Sequence, residues 1–495
     1  VTDYDALSRA WRVSSGRPAG SCSLPAPAAQ TLSATDVPTV GTGASRSIDL
    51  TLFDTIQRGL VSKVTRAQTT GDSGAGYGSV DTYVQAFAYG DALARLTSTV
   101  TTISPVAGGT AEPPFVQSLT YDGLGRVATT TDATGGRVEN MYSSHGFLRR
   151  VRDAAAPATV YWELLASNER GQATRERRHG DARISTRRDY DALTGRLQAI
   201  LSGSDNGSTF VNPVQNLSYQ YDMLGNLRSR TDLSLNLRER FVYDKLDRLV
   251  TGYATGINGN AAAFNTADLS YDRIGNICAK DGLGYTYAGA AGCGLDGLLG
   301  ARQNLAGRSP HAVTRRALAS GQFVEYGYDL AGNQILADDP NGVVKDRRIR
   351  FNADGLADRI AVGDISAPSS VSSFRYGAGG RYLRIDKVGS IETVTRYVGG
   401  VEWITKTNAV EERKRYIGGF LILTETGAPS ALSKTYRYIL GDHLGSLDTL
   451  VDQNGAVIEK LSFDPHGNRR AASSNGVWNN LLGSYTASNT THGFT

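Results

Sequence analysis

Apolar and polar residues alternate with a period of two along much of this chain. Residues 393–398 and 457–463 show it clearly, each stretch presenting two unlike faces, as a half-buried β-strand does. Such runs are five to eight residues long and are separated by turn residues. Val127–Thr131 and Arg137–Tyr142 flank Asp132-Ala133-Thr134-Gly135, and Pro340-Asn341-Gly342 precedes a strand expected over 343–351. Asn454-Gly455 joins Leu447–Val451 to 457–463, and Asn-Gly between strands is the strongest short hairpin signal. Helix signals are nearly absent; residues 160–165 are short and read equally well as a strand. The pattern predicts an all-β protein, a long antiparallel meander that grows by adding hairpins.

A repeat punctuates the meander. Tyr121-Asp122-Gly123-Leu124-Gly125-Arg126 recurs as Tyr221-Asp222-Met223-Leu224-Gly225-Asn226, as Tyr271-Asp272-Arg273-Ile274-Gly275-Asn276 and as Tyr328-Asp329-Leu330-Ala331-Gly332-Asn333. Looser copies keep an aromatic and a Gly four residues on: Tyr142/Gly146, Phe351/Gly355, Tyr376/Gly380 and Phe463/Gly467. Tyr243-Asp244 carries Asp247 in the Gly place, Tyr4-Asp5 carries Ser8, and Tyr190-Asp191 has one extra residue before Gly195. Adjacent copies lie roughly twenty to thirty residues apart, the range of repeat architectures.

The chemistry of one unit explains its residues. Tyr ends a strand, where its ring can stack on the equivalent ring of a neighbour. Asp opens a tight turn and its carboxylate can accept backbone N–H bonds. Gly, three residues later, can take φ > 0, as a type I turn followed by a bulge requires, and Asp247 tolerates that region better than most residues. The Arg or Asn that follows opens the return strand. Each unit is a β-hairpin corner.

Stretches that break the rhythm are expected loops. Residues 14–45, rich in Ser, Pro, Ala, Thr and Gly, form the best linker candidate. Residues 69–79, 104–114, 202–213, 288–310 and 471–490 look like insertions at hairpin tips.

Composition agrees with this picture. Of 495 residues 57 are Gly and 24 Tyr, against 13 Phe and 2 Met, which favours turns and strands over helices. The charge balance, 52 Lys and Arg against 48 Asp and Glu, gives a net charge of +4 and no electrostatic reason to bind nucleic acid or an anionic membrane. No apolar run approaches the eighteen or so residues of a membrane span. The chain opens without an initiator Met and closes without a recognisable stop, so both ends look cut from something longer. Three Cys are too few for a disulfide scaffold, although Cys278 and Cys293 could pair across a roughly fifteen-residue loop.

Candidate chemistry is sparse. Asp442, His443 and Ser446 have the residue types of a hydrolase triad. Triad members normally reach each other from separate segments, and three residues within five positions read better as a turn beside a strand. Gly292-Cys293-Gly294-Leu295-Asp296-Gly297 fits a dinucleotide-binding spacing but lacks the strand-to-helix context that spacing needs. The six His, at 145, 179, 311, 443, 466 and 492, include no pair with metal-ligand spacing. The mixed-sign runs Arg175-Glu176-Arg177-Arg178 and Glu411-Glu412-Arg413-Lys414-Arg415 are expected on solvated strand edges. No catalytic residue, cofactor or metal is expected.

The Tyr-Asp-x-x-Gly-Arg/Asn units resemble those of YD-repeat proteins. Tyr438-Ile439-Leu440-Gly441-Asp442-His443-Leu444-Gly445-Ser446, followed by Phe463-Asp464-Pro465-His466-Gly467-Asn468, resembles the signature that ends the Rhs repeat region. The resemblance implies two regions, 1–437 as YD-repeat shell and 438–495 as an Rhs-core-like terminal segment. In Rhs proteins, the B/C components of insecticidal toxin complexes and the teneurins, such repeats spiral into a hollow β-shell. The resemblance therefore implies a bacterial, secreted or surface-located container for its own C-terminal toxin domain, served by a delivery or secretion apparatus. The Rhs autoprotease motif has no match here, so no catalytic residue carries over. The alternative is an extracellular adhesion module that binds a surface receptor or a glycan.

Overall fold

The computed structural model describes residues 2–4, 10–16, 46–53, 59–70, 79–90, 93–104, 112–178, 184–205, 210–257, 264–287, 293, 309–340, 342, 345–364, 366–427, 431–467 and 469. Among them the regular structure is all strand: 35 strands and no helix. Among the described residues no helix is long and apolar enough to cross a membrane. Strands pair antiparallel with their neighbours in the chain, as Ser118↔Thr131 to Tyr121↔Val127 and Leu217↔Asp232 to Tyr221↔Leu227 illustrate. The sheet is one open, all-β meander.

Register slips where each Tyr-Asp corner begins, between Thr120 and Tyr121, Gln220 and Tyr221, Ser270 and Tyr271, and Gly327 and Tyr328. The extra residue is the bulge that a type I turn plus a left-handed position inserts. Gly125, Gly225, Gly275 and Gly332 supply that position with φ of +83°, +102°, +92° and +85°, and Asp247 does so with +59°.

Contacts divide the chain into two compact units. One comprises residues 1–138, 325–414 and 426–432, the other 139–324, 415–425 and 433–495. In the first unit an early stretch of the meander packs on a late one. Tyr83, Ile103 and Phe115 bury against Tyr382, Leu383, Ile385, Val394 and Val398, with Phe115 edge-on to Trp403 at 5.6 Å. Polar ties join the same layers: Arg375 to Asp81 at 3.0 Å, Gln117 Nε2 to Gly399 O at 2.8 Å and Gln68 Nε2 to Tyr376 O at 2.9 Å.

The second unit has the same plan. Ile422, Ile439, Leu447, Leu450, Leu461 and Phe463 form one apolar cluster, and Ile200, Leu217 and Tyr219 form another. Trp162 stacks on Phe420 with centroids 5.7 Å apart, and Arg178 Nε donates to Ile439 O at 2.8 Å. Full burial of one large aliphatic side chain stabilises by about 1.5–3 kcal/mol, so such layers supply most of the holding energy.

Several expectations need correction. Residues 202–213 are mostly strand: Leu197–Asp205 and Phe210–Tyr221 pair as Ser202↔Gln215, Gly203↔Pro213 and Asp205↔Phe210. Pro213 fits because the register shifts on both sides of Gly203, and a bulge needs no N–H there. The strand expected over 343–351 starts only at Arg347, and the one over 457–463 ends at Lys460, leaving Phe463 in a single bridge to Arg469. Residues 14–16 end the Ala10–Gly16 strand. The other linker residues, 17–45, and the insertions 71–78, 105–111, 288–292, 294–308 and 471–490 lie outside the described residues. Residues 160–165 belong to the strand Val160–Ser167.

The charge runs are not solvated edges. Glu176 and Arg178 are buried and paired at 2.8 Å, Arg188 joins Glu176 at 2.8 Å, and buried Arg415 pairs with Glu425. Alternation points Glu176 and Arg178 to one face, and that face meets the second layer. Cys278 and Cys293 form a disulfide, Cα atoms 4.8 Å apart; Cys22 lies outside the described residues.

Candidate functional site

The Tyr-Asp corners are the most regular polar constructions in the molecule. In the first, Asp122 Oδ1 accepts from Leu124 N and Arg126 N, both at 2.9 Å, and Gly125 N donates to Asp122 O at 3.0 Å. Asp222 accepts from Gly225 N and Asn226 N, Asp272 from Ile274 N and Asn276 N, and Asp329 from Ala331 N and Asn333 N. A carboxylate that collects these donors leaves few turn amides unsatisfied.

The residue after Gly does more than open the return strand. Arg126 Nε donates back to Asp122 Oδ2 at 2.7 Å, and Asn226, Asn276 and Asn333 return a side-chain amide to Asp222, Asp272 and Asp329. Arg126 holds the Asp122 carboxyl below the ordinary aspartate range, first through its side-chain hydrogen bond and then through its backbone N–H. The same position reaches the next corner. Arg196 donates to Asp222 O at 3.1 Å, Asn226 to Asp247 Oδ1 at 2.9 Å, and Arg248 to Asp272 O at 3.4 Å. In the second unit, successive corners are stapled side by side.

The tyrosines take another partner than expected. Tyr121 lies under Arg95 at 4.3 Å and Tyr271 under Arg248 at 4.5 Å, each facing a guanidinium instead of the equivalent tyrosine ring. Their hydroxyls donate to Leu96 O at 2.6 Å and Leu249 O at 2.7 Å, just past the preceding corner. A cation over the ring and a carbonyl at its tip place each Tyr against its neighbour. Two residues beyond Asp, the turns expose an aliphatic side chain at Leu124, Leu224, Leu246, Ile274 and Leu444.

Asp442, His443, Leu444, Gly445 and Ser446 form a further corner of this type. Asp442 Oδ1 accepts from Leu444 N at 2.8 Å and Ser446 N at 2.9 Å, and Gly445 has φ +87°. His443 Nδ1 stands 3.9 Å from Asp442 Oδ2, too far to be hydrogen-bonded, while His443 N donates to Tyr219 Oη at 3.3 Å. The three triad-like residues thus share one turn, with Asp442 occupied by backbone amides. Asp464, Pro465 and Gly467 repeat the corner: Asp464 is buried, 3.8 Å from Lys280, and Gly467 has φ +83°.

Beside this corner is a cavity of about 40 Å³. Its wall includes Leu217, Tyr219, Arg230, Asp232, Glu239, Asp442, His443, Asp448 and Phe463, which come from segments more than two hundred residues apart. Arg230 pairs with Glu239 and donates to Phe463 O. Burial lowers the His443 pKa against the opposing pull of Asp442. The sequence flagged His443 and Asp442 but not Asp448, Asp232 or Arg230, because only the layering brings them together. A second, open groove lined by residues 166–170, 174–175 and 187–192 carries Arg170, Arg175, Arg187 and Arg188, but each is engaged. They reach Leu193 O, Asp205, Asp189 and Glu176 respectively. Among the described residues no group of three or more His, Cys, Asp or Glu is placed to hold a metal ion.

No family model and no curated protein matches the sequence. Solved structures do match the fold. A crystal structure of TcdB2-TccC3-TEV aligns with TM-score 0.62 at 16% identity, covering 97% of this chain and 25% of that chain. The fold is that of part of a Tc toxin chain. A TcdB2-TccC3 crystal structure aligns with TM-score 0.59 at 15% identity, over 87% of this chain and 25% of its own. The Tc holotoxin pore of Photorhabdus luminescens aligns with TM-score 0.58 at 14% identity, over 87% and 24%. This chain spans about a quarter of the length of the Tc chains it matches.

Proposed function

We propose that this chain is part of the wall of a YD-repeat shell that encloses a toxic C-terminal polypeptide until delivery from a bacterial cell. The observation that carries this reading is the fold match to TcdB2-TccC3 chains over 97% of the chain, together with the stapled corners. A wall secludes its cargo sterically and through many weak contacts, so it needs no catalytic residue and no cofactor. The partners would be the cargo and a secretion or delivery apparatus, and the location extracellular or on the surface. The exposed aliphatic residues at corner tips favour a second reading, adhesion to a receptor or glycan.

Limited proteolysis of the full-length gene product separates the two. A wall keeps an enclosed segment uncut until denaturant opens the fold. Immediate cleavage of every segment outside this chain contradicts the container. So does substrate turnover by the purified chain that His443→Ala abolishes.

A further inference from the structure

We propose that Asp448 is a proton-operated latch in the second unit: with its carboxyl neutral it holds the 441–448 corner on the Phe210–Tyr221 and Leu227–Asp232 strands, and ionisation loosens that contact. Asp448 Oδ2 accepts from Gln215 Nε2 at 2.9 Å and from Thr449 Oγ1 at 2.8 Å. Gln215 also donates to Gly441 O at 3.1 Å and accepts from Ser202 Oγ at 2.8 Å, so one buried amide fixes both ends of the corner.

The charges around Asp448 compensate its carboxylate only in part, Lys460 favouring the ionised form and Asp232 opposing it. Asp232 lines the same cavity and accepts from Ser234 N at 2.9 Å and Leu235 N at 3.2 Å. On the same strand as Asp232, Arg230 is directed to Glu239 of the Leu237–Tyr243 strand and to Phe463 O. Lys460, from Val457–Lys460, donates to Val214 O at 2.6 Å and Ser234 Oγ at 2.7 Å. The corner contributes Asp442 and His443, and the Phe210–Tyr221 strand contributes Tyr219. Thr231 and Ser462 add hydroxyls, and Leu217, Leu237, Leu447, Leu461 and Phe463 complete the wall. Two carboxyls lining one small cavity do not both ionise cheaply.

The protonation energetics agree. Burial, and next the charge of Asp232, outweigh the hydrogen bonds from Thr449 and Gln215 and the charge of Lys460 and push the Asp448 pKa up to about 7. A folded pKa above the unfolded value of roughly 3.9 means the contact is strongest below that value. It weakens as pH rises towards 7 and is level above. Asp232, its pKa raised by burial, works in the same sense, and His443 in the opposite one, since burial lowers its pKa and acid charges it, so the effect of Asp448 is read as a difference from a variant without its carboxyl.

The test is amide hydrogen exchange of the whole chain at pH 5 to 8, corrected for intrinsic rates, on the parent and on Asp448→Asn. Relative to the variant, opening of Leu447–Val451 in the parent should rise about tenfold per pH unit between 5 and 7 and then level off. Identical pH dependence in the two proteins overturns the latch. Should the variant not fold, the Asp448 carboxyl is titrated in the parent by carbon-13 NMR. A midpoint near 7 supports the proposal, and one in the ordinary aspartate range overturns it.

Discussion

At Gly275 an added Cβ would meet nothing within 4 Å, yet the backbone stands at φ +92°. A side chain there costs conformational strain alone, about 1–2 kcal/mol for a left-handed non-Gly residue. Gly225 adds a contact, because its Cβ would lie 2.6 Å from Nη2 of Arg196, the side chain whose Nη1 bonds the same corner. Gly275→Val should therefore lower stability by about that strain, and Gly225→Val by at least as much. Urea denaturation of both variants checks this, and a Gly275→Val midpoint equal to the parent's would contradict the turn geometry. The corner carboxylates add a pH signature. Arg248 depresses the Asp244 pKa, through its side-chain hydrogen bond first, as Arg126 does for Asp122. Their stabilisation is present above the unfolded value of roughly 3.9 and is lost as pH falls through the lower folded values. Acid titration followed by hydrogen exchange at Leu124 and Leu246 should show these corners holding through pH 4 and loosening below it. Asp and Gly of each corner were legible because their partners lie within four residues. The outward reach of Arg248 was not, since Asp272 O is twenty-four residues away.

Alternating strands were readable from period-two patterning, and Val127–Thr131, Arg137–Tyr142 and Leu447–Val451 have the bounds the sequence suggests. What alternation cannot say is which face a second layer will cover. Arg175-Glu176-Arg177-Arg178 shows the consequence, because Glu176 and Arg178 face the covered side and Arg178 bonds Ile439 O across 261 residues. Burial pushes the Glu176 carboxyl up, but Arg178 and then Arg188 outweigh it and hold its pKa at about 2. Removing one member of a buried pair strands the other, at about 3–5 kcal/mol. Glu176→Leu should destabilise by about that amount, read from Trp162 fluorescence, since Trp162 Nε1 donates to Glu176 Oε2 at 3.0 Å. With its pKa depressed, Glu176 stabilises above the ordinary glutamate value, and that contribution disappears as pH falls towards 2. Glu176→Gln should lack that acid-range loss, and a variant that keeps it would contradict the assignment.

At the scale of the whole molecule, each hairpin leans on its neighbours in sequence and on one distant layer of its own unit. Stability of such stacked repeats is distributed, so damage at one corner stays local. Far-UV circular dichroism of the chain should be dominated by strand, and a helical spectrum would contradict the meander. The repeat made the meander legible. The layering was not, because nothing in the local pattern pairs Tyr83 with Tyr382 or Gln215 with Asp448. Enclosure is the central claim, and a cryo-electron microscopy map of the full-length gene product tests it most directly. The container function predicts polypeptide density inside a wall built from this meander, with the stapled corners in register around it. A map showing the rest of the gene product wholly outside that wall would contradict it.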